Sequence, residues 1–214
     1  MPVMKKPILI PNGYLNVAAI SNGTRALGPG FRAVVWVQGC PLNCHGCLAT
    51  EWIPFKPANL LTSEQIVKQL DVNRLDGITF SGGEPMEQAE ELARLYEKIR
   101  QIKDIDVICF TGYRYERLVD NPPNAGVEKL LSVLDVLIDG PYISERNDSI
   151  GLRGSSNQRI IHLTPRLHNH NLETQNRRVE VTVSDGELSL VGIPTPSMNT
   201  SLDIARSKAM ERIG

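Results

Sequence analysis

GCPLNCHGC, from Gly39 to Cys47, places three thiols in one short loop directly after an apolar run, Arg32–Val37, that predicts a strand. The C-x3-C-x2-C spacing of Cys40, Cys44 and Cys47 allows one loop to fold around a single polynuclear centre. A four-iron cluster takes four ligands, so three thiolates leave one iron open to bind another molecule. Tetrahedral zinc is the structural alternative. Its fourth ligand would then be one of Cys109, His45, His162, His168 and His170.

A second loop, SGGEP from Ser81 to Pro85, lies between a predicted strand at Gly77–Phe80 and a predicted helix. Two adjacent glycines expose backbone groups to a ligand that approaches closely, and the Glu84 carboxylate can receive an ammonium group. The Glu-rich run after Pro85 keeps its apolar residues on one helical face as far as Lys103. Taken alone, this loop is more simply an ordinary strand-to-helix turn.

Strand and helix patterns alternate along the chain. Further strands are predicted at Leu15–Ile20, Asp106–Phe110, Asp135–Ile138 and Arg159–Leu163, and helices at Thr62–Arg74, which opens on a capping box, and near Gly126–Leu134. Right-handed crossovers between such elements give an α/β fold with a mostly parallel sheet covered by helices. The two loops then lie at the carboxyl ends of strands, where we expect the chemistry.

The composition changes after Leu163. Thr164–Arg178 is polar and predicts a loop, whereas Val179–Ser184 and Glu187–Ile193 alternate around Asp-Gly and predict a β-hairpin. Thr200–Ile213 predicts a weak terminal helix. We therefore expect a core at residues 1–163 and a C-terminal extension at residues 164–214 that packs on it.

Length and composition indicate an ordinary globular chain. It has 214 residues, 41% apolar and 22% charged, and 23 basic against 24 acidic residues leave a net charge of -1 without the basic excess of a nucleic-acid-binding surface. No apolar run approaches the ~20 residues that span a bilayer, and the N-terminal apolar stretch is too short for a signal peptide. We expect a cytoplasmic protein with no membrane or nucleic-acid partner. Four cysteines, three of them close together, make a disulfide framework implausible.

Together, the two loops resemble those of the radical S-adenosylmethionine (SAM) superfamily. The resemblance implies a partial (β/α)6-type barrel whose C-x3-C-x2-C thiolates bind a [4Fe-4S] cluster and whose Gly-Gly-Glu motif holds the amino group of SAM. In that superfamily, SAM chelates the open iron, and one electron cleaves it to a 5′-deoxyadenosyl radical. The residues carried over are Cys40, Cys44 and Cys47 for the cluster and Gly82, Gly83 and Glu84 for SAM.

Two further SAM contacts follow from the resemblance. Many members place an aromatic residue before the third cysteine to cover the adenine, whereas this chain has Gly46. We therefore expect adenine to contact backbone near Gly46 and Leu48. The turn that begins at Thr111 resembles the ribose-side element of the superfamily, although an ordinary glycine turn would have the same sequence.

Asp139 stands at the carboxyl end of its predicted strand, where it would either face the cofactor or cap the following turn. Arg153 and Arg159 are candidates for pairing with the SAM carboxylate, because a guanidinium offers two donors in one plane. Cys109 is most simply a small buried hydrophobic residue, and His162 a core histidine.

Three stretches of sequence indicate which branch of the superfamily this chain resembles. They are GPGFRAVVWVQGC at Gly28–Cys40, DVLIDGPY at Asp135–Tyr142 and RGSSNQR at Arg153–Arg159. They are similar to the activating-enzyme branch, specifically to anaerobic ribonucleoside-triphosphate reductase activating proteins. This implies hydrogen abstraction from a glycine of a partner glycyl-radical enzyme, with a flavodoxin or ferredoxin as electron donor. The alternatives are a radical SAM enzyme that modifies a ribosomal peptide or small molecule, and a zinc-binding interaction module. Four cysteines cannot build the extra cluster domain common among peptide-modifying relatives, which favours the activase.

Overall fold

A seven-stranded mixed sheet forms the centre of the computed structural model, which describes residues 10–184, 187–198 and 200–201. The strands are β1 (Tyr14–Thr24), β2 (Arg32–Val37), β3 (Asn59–Thr62), β4 (Gly77–Gly82), β5 (Asp106–Phe110), β6 (Val136–Asp139) and β7 (Arg159–His162), and a separate pair is formed by β8 (Val179–Ser184) and β9 (Glu187–Gly192). The order across the large sheet is β3-β1-β2-β4-β5-β6-β7. The expected α/β class is thus confirmed.

Four neighbouring strands, β2, β4, β5 and β6, run parallel to one another and form the middle of the sheet. Strands β1 and β3 extend it antiparallel on one side, and β7 pairs antiparallel with β6 on the other. Parallel neighbours need long crossover connections, and the helices lie in these connections. As a result, all four parallel strands end at the same edge.

The α-helices are α1 (Ser63–Gln69), α2 (Ala89–Arg100), α3 (Tyr115–Asp120) and α4 (Gly126–Leu131). The capping box that opens α1 is present, since Thr62 and Gln65 exchange side-chain and backbone hydrogen bonds. The helix nevertheless ends at Gln69, because Leu70 is extended and a separate 3₁₀ turn follows. Pro85 likewise begins a 3₁₀ turn, so α2 starts four residues later than the sequence predicted.

The main core lies between the sheet and the helices. It joins inward residues of β2, β4 and β5 to the buried stripe of α2, which carries Leu92, Leu95, Tyr96 and Ile99. The opposite face of the sheet is covered by the C-terminal segments instead, and Ile193 packs there with Trp36. Helices therefore cover only one face of the described sheet.

Several elements were not foreseen from the sequence, namely β3, α3 and the extension of β1 to Thr24. Strands β8 and β9 pair antiparallel in register from Val179 with Gly192 to Ser184 with Glu187, and residues 185–186 lie outside the described part. The terminal helix predicted over Thr200–Ile213 lies almost wholly outside it as well. No helix among the described residues is long and apolar enough to cross a bilayer.

Candidate functional site

Four loops meet at the carboxyl edge of the parallel strands. Strand β2 leads into the cysteine loop, Gly39–Cys47, and β4 leads into the Gly-Gly-Glu turn, Gly82–Glu84. Strand β5 ends just before Thr111, and β6 ends at Asp139. The topology therefore brings together the segments that the sequence singled out, which lie up to a hundred residues apart.

The cysteine loop has no regular secondary structure. It turns sharply at Asn43, which has a φ of 47°, a left-handed conformation that asparagine tolerates better than most residues. Within the loop, Cys47 N donates to Cys44 O at 3.2 Å. The side chains of Cys40, Cys44 and Cys47 are all free and partly exposed, so the three sulfurs are accessible at the edge.

The pKa of the Cys40 thiol is raised to about 11, chiefly by burial and also by the nearby Glu84 carboxylate, against the opposite effect of the Leu42 and Asn43 backbone N–H groups at the sulfur. Burial also raises the pKa of Cys47. Without a cation, Cys40 is therefore protonated at neutral pH. A bound metal reverses this balance, and the same N–H groups then stabilise the thiolate.

Three buried amide side chains, Asn16, Gln38 and Gln88, hold the segment that follows the cysteine loop, and we call them the amide belt. Gln38 Nε2 donates to the Pro54 carbonyl at 2.7 Å, and Asn16 Nδ2 donates to the Lys56 carbonyl at 2.8 Å. None of these three residues was predicted from the sequence to belong to the site. A sequence signal exists for Gln38 alone, a polar residue between the apolar end of β2 and Gly39.

Gln88 ties the amide belt to the Gly-Gly-Glu turn, because it closes the 3₁₀ turn that follows Glu84. Its Oε1 accepts from Asn16 N at 2.7 Å, and its Nε2 donates to the carbonyls of Asn16 at 3.2 Å and Gln38 at 3.1 Å. The belt thus connects both flanks of the cysteine loop to the loop after β4.

The Gly-Gly-Glu turn packs directly on the backbone of the cysteine loop. Gly83 N donates to Val37 O at 2.7 Å, and Glu84 N donates to Gly39 O at 2.9 Å. A Cβ on Gly83 would lie 2.3 Å from Gly39 O, and Gly82 has a φ of 110°. Only glycines permit the two backbones to come this close. The turn therefore requires glycine for its own packing, whether or not it also binds a ligand.

The Glu84 side chain is fully buried and links the turn to the loop after β5. It accepts from Met86 N at 2.9 Å, Thr111 Oγ1 at 2.8 Å and Gly112 N at 2.8 Å. Burial raises its pKa to about 7, although these hydrogen bonds act in the opposite direction. A nearby cation lowers the pKa of such a carboxyl group and ionises it. An ammonium ligand would therefore meet a carboxylate here.

Gly46 and Leu48 remain at the exposed surface of the loop. A Cβ on Gly46 would lie 2.8 Å from Cβ of Ser144, so an aromatic side chain there would have to displace the 3₁₀ turn Ser144–Arg146. This contact gives a physical reason for the glycine. The rings of Trp36 and Trp52 pack at 5.8 Å beside the same loop.

Asp139 is completely buried and caps α3, accepting from Tyr115 N at 2.8 Å. Arg159 donates to Asp139 through Nε at 2.9 Å and through Nη2 as well, and both of its Nη groups also donate to Glu116 at 2.8 Å. The turn capped by Asp139 is therefore the start of α3 rather than the turn after β6. Arg159 is engaged by two carboxylates.

Arg153 lies apart from these loops. Its Nη2 donates to Asp148 at 2.9 Å, while its Nε is buried without a partner in the described part of the chain. None of the hydrogen bonds described for it reaches the cysteine loop or the Gly-Gly-Glu turn.

Cys109 is fully buried within β5, and burial raises the pKa of its thiol well above the ordinary value. The His162 ring packs edge-on against His168 with centroids 4.6 Å apart. Across residues 10–184 and the shorter described segments that follow, no three His, Cys, Asp or Glu side chains converge as one metal ion would require.

The donor set fits a [4Fe-4S] cluster better than a single zinc ion. Three free thiols share one accessible loop, and a polynuclear cluster requires ligands spaced more widely than the tetrahedron around one ion does. Of the other candidate ligands, Cys109 is buried in β5, and His45, although it lies in the same loop, is exposed with its Nδ1 3.7 Å from Glu145 Oε1. The buried Glu84 carboxyl and the two glycines beside the loop supply the cradle that a cationic ligand of the open iron needs.

Comparison with known proteins also indicates a [4Fe-4S] cluster. A family model described as "4Fe-4S single cluster domain" matches residues 26–161. The anaerobic ribonucleoside-triphosphate reductase-activating protein of Escherichia coli K12 is 32% identical over 145 residues, covering 64% of this chain and 91% of that protein. Its Haemophilus influenzae namesake is 35% identical over 144 residues, covering 63% and 89%. Pyruvate formate-lyase 1-activating enzyme of E. coli K12 is 28% identical over 165 residues, covering 72% and 63%.

The fold and the site define an iron–sulfur enzyme of the radical SAM class, whose cofactors are a [4Fe-4S] cluster and SAM. The chain belongs to the 4Fe-4S single cluster domain family, in the glycyl-radical activating branch of the radical SAM superfamily. The zinc-binding alternative is set aside.

Proposed function

We propose that this chain activates an anaerobic ribonucleoside-triphosphate reductase by removing a hydrogen atom from one glycine of that enzyme. The observation that carries the proposal is the placement of three free, accessible thiols against a Gly-Gly-Glu turn at one edge of the sheet. The relatives that bear this activity in their names align with this chain over about nine-tenths of their own length.

In this proposal, Cys40, Cys44 and Cys47 hold the cluster, and the Gly-Gly-Glu turn receives the amino group of SAM. When bound, the two cofactors supply the electron and the radical chemistry that removes the glycine hydrogen. The protein contributes orientation. The contact between Gly83 and Gly39 fixes the distance between the two loops, and the ionised Glu84 balances the charge of the ammonium group.

The remaining SAM contacts are assigned by position. Thr111 Oγ1 donates to Glu84 and so orients that carboxyl, besides any contact with the ribose. Gly46 and Leu48 offer exposed surface for the adenine. Of the two arginines, we assign Arg159 to the SAM carboxylate because it lies at the carboxyl edge beside Asp139; the SAM carboxylate would then take the place of Glu116 on its Nη groups.

The proposed reaction also requires that water is excluded from the cluster and that the partner enzyme can reach it. Trp36 and Trp52 pack beside the cysteine loop and would limit solvent access to the cluster. The side chain of Leu48 is 43% exposed, which leaves an apolar contact for an incoming peptide on the same loop. A flavodoxin or ferredoxin is the reductant that this proposal requires.

We infer in addition that the sheet corresponds to a partial (β/α)6-type barrel formed by residues 1–163, and that residues 164–214 are an extension with a β-hairpin. Packing of Ile193 against Leu27, Val34 and Trp36 supports an extension that lies on the face opposite the helices. That position places it behind the strand that leads to the cysteine loop.

The test is anaerobic reconstitution of the cluster, followed by assay with SAM and dithionite. We expect 5′-deoxyadenosine, and a glycyl-radical signal by electron paramagnetic resonance when an anaerobic ribonucleotide reductase is added. Cys44→Ala should abolish both by loss of a ligand, whereas the matched variant Cys109→Ala should retain both. SAM cleavage without a radical on the reductase would refute the proposal that this reductase is the partner. Absence of any SAM cleavage would refute the proposed enzymatic activity itself.

A further inference from the structure

A cavity of about 590 Å³ lies at the edge of the sheet opposite the cysteine loop. Gly28 and Gly30 line it just before β2 begins, whereas the cysteine loop follows the end of β2. Six residues of strand separate the two ends by about 20 Å. The volume is in the range of small-molecule sites, and the radical SAM chemistry makes no use of it.

The lining of this cavity is strongly basic. Arg25, Arg177 and Arg178 line it together with His170, and no aspartate or glutamate does so among the described residues. The whole chain has a net charge of -1, so three arginines around one cavity are a local concentration. Arg25 and Arg178 are exposed, and neither side chain forms an ion pair within the described ranges.

Three acidic groups lie near the cavity, and none of them forms an ion pair with Arg25 or Arg178 within the described ranges. Glu180 keeps its charge while it accepts from Thr24 Oγ1 at 2.6 Å and from the backbone N–H of Arg25 at 2.8 Å. Asp76, beside Gly30, accepts from Phe31 N at 2.8 Å. Asp148 is shared between Arg153, at 2.9 Å, and Arg177, at 3.5 Å. Arg25, whose guanidinium lies 5.8 Å from the centroid of the Phe31 ring, and Arg178 have no carboxylate partner in the described ranges and can receive an anion.

The wall of the cavity is fixed before any ligand arrives. The Arg177 side chain is only 3% exposed, donates to Asn147 Oδ1 at 2.6 Å and also donates to the Arg153 carbonyl. Gly28 and Gly30 have positive φ angles of 138° and 71°, and neither N–H donates to an acceptor in the described chain. Free backbone N–H groups in such a turn add to the attraction for anions.

We propose that this cavity binds a small molecule through its phosphate groups. Guanidinium groups match phosphate geometry with paired donors, and two of them in one cavity suit a di- or triphosphate better than a single carboxylate. The volume leaves room for a nucleoside attached to the phosphates. This inference does not depend on the proposed reductase partner.

The test is titration calorimetry of the full chain with its cluster reconstituted, at low ionic strength, with inorganic tripolyphosphate and separately with ATP. We expect one saturable site, and we expect Arg25→Gln combined with Arg178→Gln to weaken binding about tenfold or more. Arg94→Gln combined with Arg100→Gln, which removes the same two charges on α2 outside the cavity, should leave the affinity within about twofold. The affinity of Arg178→Lys should lie between those of the unchanged protein and the cavity double variant, because lysine keeps the charge but loses the paired donors.

Tighter binding of ATP than of tripolyphosphate would show that the nucleoside is also held, and equal binding would show recognition of the phosphates alone. Absence of saturable binding by both probes up to ~1 mM would overturn the proposal. Equal weakening by the cavity double variant and by the Arg94→Gln, Arg100→Gln double variant would overturn it too, because binding would then follow net charge. Unfolding temperature, measured for each variant, separates lost binding from lost structure.

Discussion

Replacing Gly83 with alanine tests whether the Gly-Gly-Glu turn holds the cysteine loop in place. The new Cβ would lie 2.3 Å from the carbonyl oxygen of Gly39, 2.8 Å from its carbonyl carbon and 3.0 Å from its nitrogen. All three are backbone atoms, so no side chain can rotate away. The loop must therefore retreat by about 1 Å to reach ordinary contact.

The expected cost follows from two contributions. Overpacking against fixed atoms costs about 1–3 kcal/mol. The retreat also strains the 2.9 Å hydrogen bond from Glu84 N to Gly39 O, which is worth about 1 kcal/mol. A total of about 2–4 kcal/mol lowers the unfolding temperature of a chain of this size by roughly 5–15 °C.

Gly13→Ala is the matched control. Gly13 has a φ of 86°, but nothing lies within 4 Å of a Cβ placed there, so this variant has backbone strain without a clash. We expect a loss of about 1–2 kcal/mol and no change in iron content.

Thermal unfolding by circular dichroism, iron content after reconstitution and the rate of 5′-deoxyadenosine formation are the three measurements. Gly83→Ala should lose more stability than Gly13→Ala and should also lose iron and cleavage. If Gly83→Ala retains full iron and full cleavage at the stability of the control, the contact with Gly39 does not position the loop.

Two further predictions concern the same edge. Gln38→Leu leaves the Pro54 carbonyl without its donor, so we expect about 1–3 kcal/mol of destabilisation and lower iron retention, measured by urea unfolding and iron analysis; unchanged retention would contradict the role of the amide belt. Glu84 has a pKa of about 7 when folded against 4.5 when unfolded, so the folded state without SAM binds more protons between these values. Its stability should fall by about 3 kcal/mol as pH rises from about 4.5 to about 7 and then level off, and Glu84→Gln should lack this slope.

The main elements of the fold were predictable because local signals agreed with their environment. Strands β2 and β5 occur at the predicted residues, since each is an apolar run buried in the sheet after a charged first residue, Arg32 or Asp106. The shared edge of the four loops follows from parallel pairing alone. In contrast, β3 is mostly exposed and short, so its place is set by pairing with β1 rather than by a pattern in Asn59–Thr62.

The site was predictable where a motif is contiguous and unpredictable where distant residues converge. The thiols and the Gly-Gly-Glu turn could be found by spacing. The amide belt could not, because Asn16 and Gln88 meet across 72 residues. The pairing of Arg159 was unpredictable for the same reason. Its partner Glu116 lies 43 residues away and accepts from guanidinium donors that the sequence alone left unassigned.

The contacts that anchor the cysteine loop use none of its sulfurs. Gly39 N donates to Trp52 O at 2.8 Å, Cys40 N donates to Ile53 O at 3.0 Å, and Gly39 O accepts from Glu84 N. A structural zinc site obtains its fold from the metal, whereas this loop is shaped by backbone and amide groups first. Because the ligands are ordered in advance, cluster binding has a smaller entropic cost, and the open side of the loop stays free for SAM and the partner. Substitutions in the amide belt should therefore change iron retention while every cysteine is still present.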